Sequence, residues 1–159
     1  MPPAQPTAAA LNSFIDRARG ALPKAQIENY RTRCIGWNQE TSESICRHVR
    51  AGEKRGTFSV PWLWAAHPNT KPEIGQFVVL STYDGVPQAL LQVKQLTLTT
   101  FKEIDASHTG LDGPPVRDLG VWRGVHTKYW NDLLGPLGKK VEDDMAVVVE
   151  RFECVYPKP

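Results

Sequence analysis

Two β-rich runs, Gln76–Tyr83 and Gln88–Leu98, are joined by Asp84-Gly85-Val86-Pro87. Asp-Gly between such runs is a strong hairpin signal, because tight hairpin turns demand backbone angles that these residues accept. One antiparallel strand pair is therefore expected, and the rest of the chain has to cover it. A valine-rich run from Met145 to Tyr156 predicts a further long strand, and Phe58–Leu63 predicts a shorter one broken by Pro61.

Helical spacing appears in three places. Leu11, Phe14, Ile15, Ala18 and Leu22 mark a helix over Ala9–Leu22, whose polar face carries Asp16, Arg17 and Arg19. A second helix is expected with Thr41 or Ser42 as its cap, ending near Ala51 at Gly52. A third spans about Asp118–Leu134, with Trp122, Val125, Tyr129 and Leu133 on one face and Gly135-Pro136 as its stop. Thr99–Asp105 reads as the start of a short helix. Residues 1–8 are expected to be poorly ordered, and residues 23–36, 66–75 and 106–117 to be irregular. Helices interspersed with hairpin-connected strands imply an α+β fold on a mixed or antiparallel sheet, closing as a small, partly open barrel.

The 159 residues suit one compact domain, and 41% hydrophobic with 23% charged residues is ordinary for a globular protein. No apolar run reaches bilayer length, and the N-terminus lacks a secretory pattern. Cys34, Cys46 and Cys154 are odd in number and show no metal-like spacing, so a reducing, cytoplasmic setting is expected, with each cysteine a small buried hydrophobe. His48, His67, His108 and His126 show no ligand spacing either, so neither metal nor cofactor is expected. Of these, His126 reads as a structural hydrogen-bonder on the third helix. Residues 1–55 hold nine Lys/Arg against five Asp/Glu, a basic bias that fits an anionic partner.

The candidate chemistry lies in Gly52-Glu53-Lys54-Arg55-Gly56-Thr57-Phe58-Ser59. A lysine three residues before a threonine can take the hydroxyl proton, and the activated oxygen can attack a carbonyl. The plain alternative is a solvated lysine beside a strand. Arg47, Arg50 and Lys54 share a helical face with Glu43, forming a basic approach to this turn. Trp62 or Tyr83 is a candidate for stacking on a base. Ser59 and Arg55 complete the set of candidate substrate contacts.

The order of these segments resembles the ASCH family, PUA-like proteins associated with RNA, and in particular its longer bacterial members. The resemblance runs from about Trp37 to Tyr156. It is carried by Trp37-Asn38-Gln39-Glu40, the Gly52–Ser59 turn, Ile74-Gly75-Gln76-Phe77-Val78-Val79-Leu80, Phe101-Lys102-Glu103-Ile104-Asp105-Ala106, Trp122-Arg123-Gly124-Val125-His126, and Glu142-Asp143-Asp144-Met145 with the strand after it. It implies a mixed or antiparallel PUA-like β-barrel surrounded by helices, with residues 1–35 as an N-terminal extension and 36–157 as the domain.

The resemblance also implies function. Some members resemble amidohydrolases that remove an acyl group from the exocyclic amine of cytidine, with a lysine, a threonine and a glutamate. Others resemble ribonucleases acting on single-stranded RNA, and a non-catalytic RNA-binding module is the third possibility. Lys54 matches the motif lysine and Thr57 the threonine. Similar members carry Asp-Ala-x-Phe-Ala-x-x-Glu-Gly after the third strand, where this chain has Asp105-Ala106-Ser107-His108-Thr109-Gly110-Leu111-Asp112-Gly113. Asp112 thus stands in place of the glutamate, one methylene shorter, with Glu103, Glu40 and Glu43 as other candidates. The expected ligand is an acylated cytidine nucleoside or single-stranded RNA.

Overall fold

The computed structural model describes residues 1–159. Its elements are α1 (Ala8–Ala21), β1 (Tyr30–Cys34), α2 (Gln39–Arg50), β2 (Gly56–Ser59), β3 (Phe77–Ser81), β4 (Pro87–Thr100), α3 (Ala106–Thr109), α4 (Leu119–Leu134) and β5 (Ala146–Tyr156). The strands form one mixed sheet in the order β1-β3-β4-β5-β2. β1 runs parallel to β3, and the other pairings are antiparallel. The expected hairpin is the β3–β4 pair, with Gly85 at φ 84° in its turn.

The sheet curls without closing, because its edge strands β1 and β2 do not pair with each other. Arg33 on β1 nevertheless contacts Glu150 on β5, at 3.0 Å. In a flat sheet those strands would lie three spacings apart, ~14 Å. Arg33 and Cys34 of β1 also line one cavity with Thr57 and Ser59 of β2, so the sheet bends round and leaves a seam between its two edges.

β3 is buried on both faces. Val78 and Leu80 pack with Cys46 and Val49 of α2, while Val79 packs with Phe14, Ile15 and Ala18 of α1. Period-two alternation thus feeds two different cores, which is why the strand reads as a continuous apolar run. A third cluster joins Trp122, Trp130 and Leu134 of α4 to Phe58 of β2 and Val147 and Val149 of β5.

Several expected boundaries shift. β1 is a strand where an irregular segment was expected. Its sequence, Tyr30-Arg31-Thr32-Arg33-Cys34, carries arginines because it is an edge whose long side chains reach Glu73 and Glu150. α2 begins three residues early, since Asn38 caps it: its side chain accepts from Thr41 N at 2.8 Å, and Thr41 Oγ1 accepts from Asn38 N at 3.2 Å. β2 ends at Ser59, and Pro61 starts a single 3₁₀ turn over Pro61–Leu63. β4 extends to Thr100 before the short helical turn Phe101–Glu103. Within 106–117 lie α3 and a 3₁₀ turn at Pro114–Val116. Residues 1–7 are tied to the hairpin, with Ala4 N donating to Tyr83 O at 2.9 Å and Tyr83 Oη donating to Met1 O.

The buried face of α4 is also rotated from expectation. Trp122, Trp130 and Leu134 enter the core, whereas Val125 and Tyr129 border the cleft described below. Trp122 belongs to the expected stripe, and Leu133 packs partly buried against the same core, so that stripe is shared between core and cleft. No helix is long and apolar enough to cross a membrane.

Candidate active site

The turn after α2 is set by its glycines. Gly52 has φ 74° and follows the last helical turn, where Gly52 N donates to Val49 O at 3.0 Å. The chain then folds back, with Glu53 N and Lys54 N both donating to His48 O. Gly56 is required for a different reason. A Cβ there would lie 2.7 Å from Glu150 O and 2.9 Å from Leu111 Cβ. Its bareness lets the loop after α3 dock, and Leu111 O accepts from Arg55 N at 2.7 Å and Gly56 N at 3.1 Å.

That docking carries the next residue to the lysine. Lys54 Nζ donates to Asp112 Oδ1 at 2.6 Å, and both groups are buried, at 4% residual exposure each. Gly113 N donates to the same oxygen at 2.8 Å. Arg117 staples the assembly by donating to Asp112 O at 2.7 Å and to Glu53 O. A short, charge-assisted bond in a buried setting is a path for moving a proton between the two groups.

Lys54 and Asp112 line a cavity of about 260 Å³ together with Thr57, Ser59, Arg33, Glu150 and His126. It sits at the seam of the sheet, bordered by Arg33 and Cys34 of β1 on one side and Thr57 and Ser59 of β2 on the other. Thr57 pairs directly with Glu150 in the β2–β5 ladder, so their side chains share a face. Glu150 is 1% exposed, and both its oxygens accept from Arg33 Nη1, at 3.0 and 3.1 Å. Arg33 Nε and Nη2 and Ser59 Oγ are buried without any protein partner. Three polar atoms left unpaired in one cavity mark a place that a ligand would satisfy.

The four formal charges of the cavity lining thus cancel in two pairs, Lys54–Asp112 and Arg33–Glu150. Burial holds the His126 imidazole neutral, lowering its pKa to about 4. Cys34 lines the cavity too, but burial, reinforced by the Asp84 carboxylate, raises its thiol and disfavours a thiolate nucleophile. Burial pushes Cys46 further, to about 12. At the mouth stand Trp37, 53% exposed, and Tyr129 of α4.

The structure brings Lys54, Thr57, Asp112 and Ser59 together in this cavity. It does not bring Trp62 or Tyr83 there. Trp62 packs against the α4 core beneath Lys139, and Tyr83 lies on the β3–β4 hairpin held by Ser42 and Met1. Arg47 and Arg50 border a separate depression with Glu43 and Asp84, and Arg55 is exposed and lines neither. Of the other carboxylates considered, Glu103 accepts from the Thr99 and Thr100 hydroxyls, Glu40 is exposed on α2, and Glu43 accepts from Gln39. Arg33, Glu150, Trp37 and Tyr129 were not anticipated as site residues. The signal for Glu150 was present: one charge at an inward position of Val147-Val148-Val149-Glu150-Arg151-Phe152.

Comparison with known proteins agrees with this architecture. The ASCH domain family model matches residues 33–156. The crystal structure of an ASCH domain from Lactobacillus crispatus JV V101 superposes with a TM-score of 0.84 at 18% identity, covering 94% of this chain and 96% of that one. A protein from Enterococcus faecalis V583 superposes with a TM-score of 0.79 at 17% identity, covering 93% of this chain and 89% of the other. At these identities the superpositions speak for the fold, which is PUA-like with an unclosed barrel. No curated protein matches the sequence. With the family model spanning most of the chain, from the end of β1 to the end of β5, the protein belongs to the ASCH domain family.

Proposed function

We propose that the cavity hydrolyses the amide of an acylated cytidine, releasing the acid and cytidine. The observation that carries this reading is the buried 2.6 Å Lys54–Asp112 bond in the same cavity as Thr57. Proton transfer from Lys54 to Asp112 along that bond leaves an amine and a carboxylic acid. Thr57 Oγ1 attacks the acyl carbon as the Lys54 amine takes its proton. The C–N bond then breaks, and Asp112 protonates the departing cytosine amine. Water attacks the Thr57 ester and gives a proton to Asp112, Lys54 returns one to Thr57, and a final transfer from Asp112 to Lys54 restores the starting state. The Lys54 ammonium formed on taking the Thr57 proton is the donor available to the oxyanion, since the backbone N–H groups of the turn are committed to His48 O and Leu111 O.

The cancelled charges of the lining favour an uncharged ligand over a polyanion. The unpaired Arg33 Nε and Nη2 belong to one side of the guanidinium, the fork that engages two neighbouring acceptors, and the cytosine ring presents such a pair at N3 and O2. Trp37 and Tyr129 at the mouth are the candidates for stacking on the base.

A ribonuclease is the second reading. Arg47 and Arg50 in their shared depression are the groups that favour it, although Glu43 and Asp84 stand beside them. Hydrogen bonds, chiefly from Thr82, lower the Asp84 pKa and keep its negative charge there. A paired assay separates the readings: 4-acetylcytidine and labelled single-stranded RNA, each with wild type and Lys54→Ala. Cytidine release lost in the variant supports the amidohydrolase; RNA cleavage without cytidine release overturns it.

A further inference from the structure

His126 is a cavity-lining side chain whose tautomer the structure fixes. Its Nδ1 lies 2.8 Å from Trp122 O, one turn back on α4. A carbonyl oxygen only accepts, so Nδ1 carries the proton and Nε2 is the bare nitrogen. No protein hydrogen bond engages Nε2. The ring stacks on Trp122 at 4.1 Å between centroids with 21° between planes, and Phe58 and Trp130 flank it at 5.6 and 5.0 Å. Three aromatic side chains therefore hold the ring, and its open side is the cavity it lines.

Burial is the main reason this imidazole stays neutral; the nearest charges, Asp112 and Lys54, act in opposite directions and belong to one ion pair. A rigid neutral imidazole with its proton committed elsewhere is a pure acceptor. The rest of the cavity offers the complementary groups: the Arg33 Nε and Nη2 donors, also without protein partners.

We propose that His126 Nε2 accepts a hydrogen bond from the exocyclic N–H of the bound base and so selects cytosine over uracil. This rests on the acylcytidine reading above. Both 4-acetylcytidine and cytidine carry an N–H on the exocyclic nitrogen. Uridine carries a carbonyl oxygen at that position, which would set lone pair against lone pair. Its ring N3 is also a donor, facing the Arg33 donors. The pattern of one acceptor and an adjacent donor fork matches the edge of cytosine and opposes that of uracil.

The test measures binding of cytidine and uridine by calorimetry to wild type and His126→Phe, a change that keeps a ring against Trp122 and removes the acceptor. It is paired with ¹⁵N NMR of the His126 ring in wild type. The expected result is a preference for cytidine of about tenfold or more in wild type, since an unpaired buried polar group is costly. In His126→Phe the preference should collapse to within about twofold, and in wild type the Nε2 resonance should move on adding cytidine. A preference that persists in the variant overturns the proposal, as does an Nε2 resonance unmoved by cytidine. The NMR measurement decides alone if the variant does not fold. Wild type that turns over 4-acetylcytidine yet binds cytidine and uridine alike overturns the role of His126 and leaves the amidohydrolase standing. Failure of wild type to bind or turn over 4-acetylcytidine overturns that reading, and this role with it.

Discussion

Lys54 Nζ and Asp112 Oδ1 meet at 2.6 Å, across 58 positions of sequence, with only 4% and 6% of their side chains exposed. Breaking a buried pair leaves one charge uncompensated, so Asp112→Ala should lose about 3–5 kcal/mol of stability by denaturant unfolding. The double change Lys54→Met with Asp112→Leu should recover most of that loss and still release no cytidine. Recovery of stability with activity retained would show that the pair is structural only.

Gly56 controls whether that pair can form. An alanine Cβ would strike Glu150 O and Leu111 Cβ, and neither is a flexible side-chain end. Gly56→Ala should cost about 1–3 kcal/mol and lower turnover as well, because the displaced loop carries Asp112. Unfolding curves and kinetics on the same sample check both effects.

The stability of the protein should also depend on His126 between pH 4 and 6.5. Its folded pKa is lowered to about 4 by burial, with Asp112 raising it and Lys54 lowering it. In that window the unfolded chain takes up a proton that the folded chain does not, so stability falls as pH drops and is fully present above about 6.5. The loss amounts to roughly 3 kcal/mol across the window. Chemical denaturation of wild type and His126→Phe over this range should show a flatter profile for the variant.

The charge balance of the cavity predicts the salt response. Lys54 is matched by Asp112 and Arg33 by Glu150, so 4-acetylcytidine turnover should change by less than about twofold between 50 and 200 mM salt. A polyanionic ligand would lose affinity steeply over the same range. Steady-state kinetics at several salt concentrations distinguish the two.

The hairpin, α1, α4 and β5 were legible because their signals are local: Asp84-Gly85, helical spacing and a valine run. β1 was not, because Arg31 and Arg33 disguise an edge strand whose partners are distant in sequence. For the same reason the Lys54–Thr57 turn was readable as a motif, whereas Arg33–Glu150 was not: that pair exists only through the curl of the sheet. Asp112 was reached by resemblance to the family, since nothing local to it signals that Leu111 docks on Gly56. Trp37 and Tyr129 at the mouth depend on where the helices pack, which spacing alone left one stripe out of register on α4.

We propose that Thr57 opens the amide of an acylated cytidine, with Lys54 and Asp112 moving the protons. The most direct measurement is chromatographic detection of cytidine after incubating 4-acetylcytidine with wild type and with Thr57→Ala. Wild type should release cytidine, and the variant should be slower by on the order of 10³-fold or more. No release by wild type, or undiminished release by Thr57→Ala, would contradict it.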